Sequence, residues 1–286
     1  MTRTPALLLF AAAPLLAAPT SGYVTTSDGV RLHYLTAGSG PAIVFEPGWT
    51  MPAEIWEPQI KALSKDFHVV AIDPRGQGQS ARPATGYNPG RRARDIHEVI
   101  GKLKFAPAVL VGWSMGVAEV LAYVDRYGDS SLRGIVLVDG DIGPESGPTR
   151  ANHRWSQARA FRLHRAEWTD SFVRHMYKQP QSEEYLSRIV RASLRVPTRA
   201  AVSLIVNTYA SGKDWRPALA KIRKPVLYVS STMSKAQADV LRRAVPSARV
   251  EFFEDAGHAL FVDQPERFNS LLAEFAVVAQ AVSPAF

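Results

Sequence analysis

The sequence predicts an α/β fold with a mostly parallel central sheet flanked by helices. Short runs of apolar, often β-branched residues alternate with segments whose apolar residues recur at helical spacing. In addition, the segment Gly-Trp-Ser-Met-Gly at residues 112–116 stands directly between one such strand and one such helix. Strands that alternate with helices form right-handed βαβ units, which gives a parallel sheet with helices on both faces.

The first half of the chain supplies five predicted segments in order, the first of which belongs to a two-stranded hairpin. Residues 31–35 follow the turn Ser27-Asp28-Gly29, which indicates an antiparallel hairpin near a sheet edge. Buried strands are predicted at 42–45, 68–72, 108–111 and 134–138, and helices at 52–65, 91–103 and from 117 onward.

The alternation breaks after the sixth strand. Residues 142–220 contain no buried-strand pattern and favour helices, so we expect a helical cap inserted over the carboxyl edge of the sheet. The alternation resumes with strands at 225–229 and 249–253 and helices at 235–243 and 265–280. The predicted division is therefore an α/β core of residues 22–141 and 221–286, with the cap at 142–220.

The N-terminal residues 1–21 are typical of a secretory signal peptide. Arg3 provides the positive charge, and an apolar run continues to Ala18. Pro14 within this run argues against a stable membrane helix, so no stable membrane insertion is expected. The segment predicts export, to a periplasm or beyond; a frayed N-terminus or an early start codon is the alternative.

Composition excludes several classes of chemistry. The chain has no cysteine, which excludes disulfides, thiol catalysis and cysteine-bound metals. It also has no H-E-x-x-H motif or clustered histidines, so neither a metal nor a cofactor is predicted. Gly76-Gln77-Gly78 does not open a strand–helix phosphate cradle, which argues against a nucleotide site.

The charge of the chain is concentrated in the predicted cap. The formal net charge is +8, and residues 142–220 contain 13 Arg or Lys against 6 Asp or Glu. These arginines are spread along helices and no nucleic-acid motif accompanies them, so a solvated helical face is expected and no nucleic-acid partner. A preference for anionic substrates or a membrane surface is the minority interpretation.

Ser114 is the candidate nucleophile. A G-x-S-x-G between a strand and a helix is the nucleophile-elbow pattern, which holds the serine at the carboxyl end of the strand beside a helix N-terminus. A serine hydroxyl needs a neighbouring base to attack an ester. His258 is the best candidate, because it lies on a loop after the last strand, directly behind Gly257.

Three motifs in this order resemble the α/β-hydrolase superfamily from about residue 22 onward. They are the elbow at Ser114, the D-x-R-G-x-G-x-S turn at 73–80, and Ala-Gly-His at 256–258. The closest resemblance is to the esterase, perhydrolase and haloperoxidase-like branch with a helical cap. It implies a serine hydrolase of carboxylic esters or lactones that forms an acyl-enzyme on Ser114, with His258 as base.

The resemblance also implies where the oxyanion would be stabilised. The donors would be the backbone N–H of Met115, directly after the nucleophile, and that of Trp49, in the loop after the third strand. Relatives often have His-Gly before the second donor, whereas this chain has Pro47-Gly48, preceded by an unusual Glu46. Trp49 and Trp113 are expected to wall the acyl pocket or to lie in the core.

The acid of the triad departs from the usual family pattern. Residues 230–235, after the seventh strand, contain no carboxylate. Some superfamily members place the acid after the sixth strand, where this chain has Asp139 at the strand end and Asp141 two residues later. We expect Asp139, while Asp141, Asp255 and a Ser–His dyad stay open.

Three functions are compatible with these residues: ester or lactone hydrolysis, perhydrolysis and non-enzymatic ligand binding. Cofactor-free perhydrolysis would use the same triad with peroxide as the acceptor, so the sequence does not separate it from esterase activity. Dehalogenases and epoxide hydrolases of this fold use an aspartate at the elbow, and Ser114 argues against both. The third is a non-enzymatic ligand receptor, since a fold does not determine a function. The expected partner is a small ester or lactone; the sequence does not predict the oligomeric state.

Overall fold

The computed structural model describes residues 18–143, 159, 161–210, 213–231 and 235–282. Their centre is an eight-stranded sheet with the strand order β1-β2-β4-β3-β5-β6-β7-β8. The strands are β1 (Thr20–Thr25), β2 (Arg31–Ala37), β3 (Ala42–Glu46), β4 (His68–Ile72), β5 (Ala108–Trp113), β6 (Leu132–Val138), β7 (Val226–Ser231) and β8 (Arg249–Phe253).

Only the first two strands depart from the parallel arrangement. β1 pairs antiparallel with β2, and β2 pairs antiparallel with β4. β4, β3, β5, β6, β7 and β8 are parallel, so their carboxyl ends lie at one edge of the sheet. The predicted hairpin near an edge and the mostly parallel sheet are both confirmed.

Helices cover both faces of the sheet. The described helices outside the insertion are a 3₁₀ turn (Ala53–Trp56), α1 (Glu57–Leu63), α2 (Pro89–Lys102), α3 (Met115–Tyr127), α8 (Lys235–Ala244), α9 (Leu260–Asp263) and α10 (Pro265–Val282). One apolar cluster packs α2, α3 and α8 on the sheet, and a second packs α1 and α10 on the opposite face. Successive strand residues alternate between the two clusters, as the two-residue period of a strand requires.

The described residues between β6 and β7 are helical and contain no strand. They form α4 (Arg165–Arg174), α5 (Glu183–Leu194), α6 (Thr198–Ile205), a π-helical turn (Val206–Ala210) and α7 (Arg216–Leu219). Ser182 is the residue before α5. Its hydroxyl accepts a hydrogen bond from the N–H of Tyr185 and so caps the N-terminus of the helix. The described helices of this insertion agree with the predicted helical character, and loops connect them.

Most of the predicted signal peptide, residues 1–17, lies outside the described residues, so export stays a prediction. Residues 20 and 21, at its predicted end, belong to β1 and pair with β2. Within the described part of the chain, no helix is long and apolar enough to cross a membrane.

Candidate active site

Ser114 occupies the sharp turn between β5 and α3. Its φ of +56° lies in the left-handed region, which is strained for a residue other than glycine. Its N–H donates to the carbonyl of Val138 at the end of β6, 2.9 Å away. The conformation of the turn and this hydrogen bond hold the hydroxyl of Ser114 at the carboxyl edge of the sheet, where the sequence predicts the nucleophile.

The two glycines around Ser114 are required by close backbone approach. A Cβ on Gly112 would lie 2.5 Å from the carbonyl oxygen of Gly116. A Cβ on Gly116 would lie 2.7 Å from the carbonyl oxygen of Glu46, at the end of β3. Neither position has room for a side chain, which explains the G-x-S-x-G spacing in physical terms.

His258 lies on the loop between β8 and α9, and its Nε2 is 2.8 Å from Oγ of Ser114. The indole N–H of Trp113 donates to the carbonyl of His258 over 2.9 Å and fixes the backbone at this point. A Cβ on the preceding Gly257 would lie 2.6 Å from the carbonyl oxygen of Met176, so the loop passes close under the segment after α4.

Asp139 completes a chain of three side chains. It follows β6 directly, with a φ of +42°, and its Oδ2 lies 2.7 Å from Nδ1 of His258. Its Oδ1 accepts three hydrogen bonds, from the hydroxyl of Ser230 (2.7 Å) and from the hydroxyl and N–H of Ser231 (3.0 Å each).

Electrostatics favour the ionised form of Asp139. Burial alone would raise the pKa of this carboxyl, but the hydrogen bond and charge of His258 and the hydrogen bonds from Ser230 and Ser231 outweigh it and lower the pKa below its ordinary value. An ionised carboxylate accepts and cannot donate, so Nδ1 of His258 carries a proton. In a neutral imidazole Nε2 is then the acceptor, which faces the hydroxyl of Ser114.

The sequence leaves Asp141 and Asp255 open as the acid, and the carboxylate that contacts Nδ1 of His258 in the structure is that of Asp139. The carboxylate of Asp255 is exposed and forms an ion pair with Lys178 over 2.9 Å. Asp255 has a φ of +58°, in the left-handed region that occurs at turns.

Ser230 and Ser231 are site residues that the sequence analysis did not identify. Residues 230–235 were predicted to be a loop, whereas β7 continues through Ser231. The predicted strand is too short because serine is a weak strand signal compared with the preceding apolar residues. The sequence feature that points to these two residues is the pair of hydroxyl side chains at the end of the strand that neighbours Asp139.

The two predicted oxyanion donors adjoin Ser114. Met115 follows it in the chain, and Trp49 belongs to the loop after β3. A Cβ on Gly48, the residue before Trp49, would lie 3.1 Å from the Cβ of Ser114. Within the described residues, the N–H groups of Trp49 and Met115 have no hydrogen-bond acceptor.

Comparison with known proteins agrees with this geometry. The model of the alpha/beta hydrolase family matches residues 43–271. The chain belongs to this family. It is 26% identical to the AB hydrolase superfamily protein YisY of Bacillus subtilis over 270 residues, which are 88% of this chain and 98% of the relative.

Two further relatives of this α/β hydrolase are named as esterases. A bifunctional esterase/perhydrolase of Acinetobacter calcoaceticus is 38% identical over 120 residues, which are 41% of this chain and 44% of that protein. The structure of the esterase EaEST from Exiguobacterium antarcticum superposes with a TM-score of 0.82 at 24% identity, over 89% of this chain and 98% of the esterase. At this identity the superposition shows the shared fold alone.

The 73–80 turn of this α/β hydrolase is held by buried polar contacts. The carboxylate of Asp73 accepts from the N–H groups of Ala53 (2.6 Å) and Gln79 (2.8 Å) and contacts Nδ1 of His33 at 2.7 Å. Arg75 is buried and binds the carboxylate of Asp95 through two nitrogens, at 2.6 and 2.7 Å. The turn is thereby fixed beside the loop that carries Trp49.

Glu46, at the end of β3, is buried in a second polar cluster. Burial, together with the charge and hydrogen bond of the neighbouring Glu119, raises the pKa of Glu46 well above its ordinary value. Glu119 in turn binds Arg92 at 2.8 Å, and both of these side chains are fully buried. These contacts favour the protonated form of Glu46.

Aromatic side chains gather beside the Trp49 donor. The ring of Trp49 lies 4.9 Å from Phe161, 5.3 Å from Trp168 and 5.5 Å from Phe172, in edge-to-face contacts. The same cluster includes the side chain of Met115. Trp113 is different, because it is buried against Trp56 and Phe261 on the other side. The sequence left both tryptophans open between the acyl pocket and the core; Trp113 lies in the core, and its ring also lies 5.2 Å from that of His258.

The described residues contain no group of three or more His, Asp or Glu that could hold a metal ion. All the reactive groups brought together here are side chains and backbone amides of the chain itself.

Proposed function

We propose that this α/β hydrolase is a serine hydrolase that cleaves a small carboxylic ester or lactone through an acyl-enzyme. One observation carries the proposal: Ser114 Oγ, the His258 ring and the Asp139 carboxylate are joined by contacts of 2.8 and 2.7 Å. The order nucleophile, base and acid is the arrangement that activates a serine.

The first half of the reaction forms the acyl-enzyme. Oγ of Ser114 attacks the carbonyl carbon as its proton passes to Nε2 of His258. The resulting imidazolium is stabilised by the ionised Asp139, while the N–H groups of Trp49 and Met115 donate to the oxyanion. Collapse of the tetrahedral intermediate breaks the bond to the alcohol oxygen, which takes the proton from His258.

The second half restores the enzyme. Water attacks the acyl carbon and gives its proton to His258, the same donors stabilise the second oxyanion, and Ser114 Oγ leaves with the proton from Nε2. No redox change or cofactor is required. The aromatic cluster of Trp49, Phe161, Trp168 and Phe172 borders the donor at Trp49, which favours an apolar acyl or alcohol group.

Perhydrolysis is a second candidate function. Hydrogen peroxide in place of water would attack the same acyl carbon and release a peroxy acid, with the same proton transfers. The 38% identity to the esterase/perhydrolase over 120 residues favours this candidate.

On the basis of residues 1–21 we further propose that the enzyme is exported.

A panel of p-nitrophenyl esters of graded chain length tests the proposal, with peracid formation from acetate and peroxide measured in parallel. Wild-type protein should turn over at least one ester, and Ser114→Ala should not. Absence of turnover by the wild type across esters and lactones would favour the ligand-receptor alternative.

A further inference from the structure

Gln77 is a fully buried residue in the 73–80 turn, and its amide is directed at the loop that carries Trp49. Its Nε2 donates to the carbonyl oxygens of Gly48 (3.1 Å) and Met51 (2.7 Å). Its Oε1 accepts from the N–H of Thr50 at 3.2 Å. One side chain therefore binds the backbone on both sides of Trp49.

Arg92 determines which way round the Gln77 amide lies. Nη2 of Arg92 is 2.7 Å from Oε1 of Gln77. A guanidinium only donates, so the oxygen of the amide must face Arg92 and the NH₂ group must face Gly48 and Met51. Arg92 is itself held by Glu119 at 2.8 Å and by the carbonyl of Arg75 at 3.0 Å.

The carbonyl of Gly48 and the N–H of Trp49 belong to the same peptide unit. A trans peptide is planar, and its C=O and N–H point in opposite directions. Fixing the oxygen of Gly48 on Gln77 therefore aims the N–H of Trp49 away from Gln77. A hydrogen bond to the carbonyl also polarises the peptide and strengthens its N–H as a donor.

The loop needs such a contact because it is strained directly after Trp49. Thr50 has a φ of +61°, which is a rare conformation for a β-branched residue. Its hydroxyl donates to the carbonyl of Trp49 at 2.7 Å and accepts from the hydroxyl of Ser193 at 2.7 Å. Without Gln77, the N–H of Thr50 and the carbonyl of Met51 would lose a buried partner, the carbonyl of Gly48 would keep only the N–H of Met51 at 3.2 Å, and the turn could relax.

We propose that Gln77 is a positioning residue that sets the direction of the Trp49 N–H in the oxyanion hole. This inference rests on the proposed function, because it assumes that the Trp49 amide acts on a reaction at Ser114. Gln77 does not contact the substrate. It acts through the Gly48–Trp49 peptide, and Arg92 fixes the orientation of its amide.

The inference predicts a specific kinetic signature. An oxyanion hole stabilises the transition state. A donor N–H that points in the wrong direction therefore lowers kcat and leaves the binding of the substrate in the ground state largely unchanged. Removing a donor outright costs about 10²–10³ in kcat, and we expect a misplaced donor to cost about 10- to 100-fold. Affinity for a trifluoromethyl ketone, which forms the oxyanion adduct on serine, should fall by a similar factor.

The test compares Gln77→Met with Gln79→Met in the full chain. Methionine keeps the length of glutamine but neither donates nor accepts strongly. Gln79 lies in the same turn with an exposed side chain, so the same substitution there should change kcat less than about twofold. Melting temperatures of both variants are measured first. If Gln77→Met does not fold, Gln77→Glu replaces it, since it keeps the size and the acceptor facing Arg92 but replaces the NH₂ donor.

Support would be a 10- to 100-fold loss of kcat with KM within about threefold, and a parallel loss of trifluoromethyl ketone affinity. An unchanged kcat, or a loss of kcat with unchanged affinity for the ketone, would overturn the role of Gln77. Wild-type protein that neither turns over esters nor reacts with a fluorophosphonate would instead refute the proposed function, and this inference with it.

Discussion

The carboxylate of Asp139 and the ring of His258 meet across strand β7, with 2.7 Å between Oδ2 and Nδ1. Asp139 follows β6 and His258 follows β8, so the contact spans the end of the strand between them. That strand ends in Ser230 and Ser231, and both donate to the other oxygen of Asp139. The hydroxyls at the end of β7 therefore orient the carboxylate that follows the neighbouring strand.

Asp139→Asn should lower kcat by about 10⁴, because an asparagine in the same place favours the wrong imidazole tautomer and does not stabilise the imidazolium. Ester hydrolysis under saturating substrate is the measurement, with thermal melts to exclude misfolding. Asp141→Asn and Asp255→Asn are the matched controls, and each should cost less than about tenfold. A larger loss in either control than in Asp139→Asn would transfer the role of the acid to that residue.

Much of this site is predictable from sequence because it depends on local patterns. The strand–helix alternation indicates the sheet, and the glycines around Ser114 mark a turn that no other residue fits. The position of Asp139 at a strand end indicates that it is near His258. Gln77 shows the limit, since its partners Gly48, Thr50 and Met51 lie more than 25 residues away in the chain. Only folding brings them together, and no local pattern marks the contact.

Glu46→Gln should change how stability depends on pH. The pKa of Glu46 is raised in the folded protein, mainly by burial and then by Glu119, so the native state holds this proton more tightly than the unfolded chain. The stabilisation from Glu46 is therefore fully present below the ordinary glutamate pKa, about 4.3, and is lost as pH rises through the raised value. Glutamine is neutral at every pH, so the variant should gain in melting temperature relative to wild type as pH rises from about 4 to 8.

The control for that series is Glu254→Gln, which removes an exposed carboxyl. Its melting temperature should follow that of the wild type at each pH. If the melting temperatures of Glu46→Gln and the wild type changed with pH in parallel, this would contradict a neutral Glu46 in the folded protein.

Arg75→Met should destabilise the fold strongly. It leaves the buried carboxylate of Asp95 with Arg91 at 2.8 Å as its remaining cation, and breaking a buried ion pair costs up to about 3–5 kcal/mol in the free energy of unfolding. Arg174→Met is the matched control, because Arg174 also forms close ion pairs, with Asp170 and Glu183, but at an exposed site. Urea denaturation measures both variants, and similar losses would contradict the distinction between the two sites.

Trp168→Ala should broaden the acyl or alcohol preference toward longer chains, because it opens the aromatic cluster beside Trp49. We expect a shift of about 10-fold or more in the kcat/KM ratio between long and short p-nitrophenyl esters. Trp215→Ala removes a tryptophan that packs with the α2–α3 face and should leave that ratio unchanged. An unchanged ratio in Trp168→Ala would mean that the cluster does not contact the substrate.

The central claim is that Ser114 is a nucleophile activated by His258, and a fluorophosphonate probe tests it most directly. Intact-mass spectrometry should show one adduct per chain, and peptide mapping should place it on Ser114. Ser114→Ala should abolish the labelling and lower kcat by about 10⁶, with an unchanged melting temperature. Absence of labelling in folded wild-type protein, an adduct on another residue, or more than about a hundredth of the activity in Ser114→Ala would contradict the account.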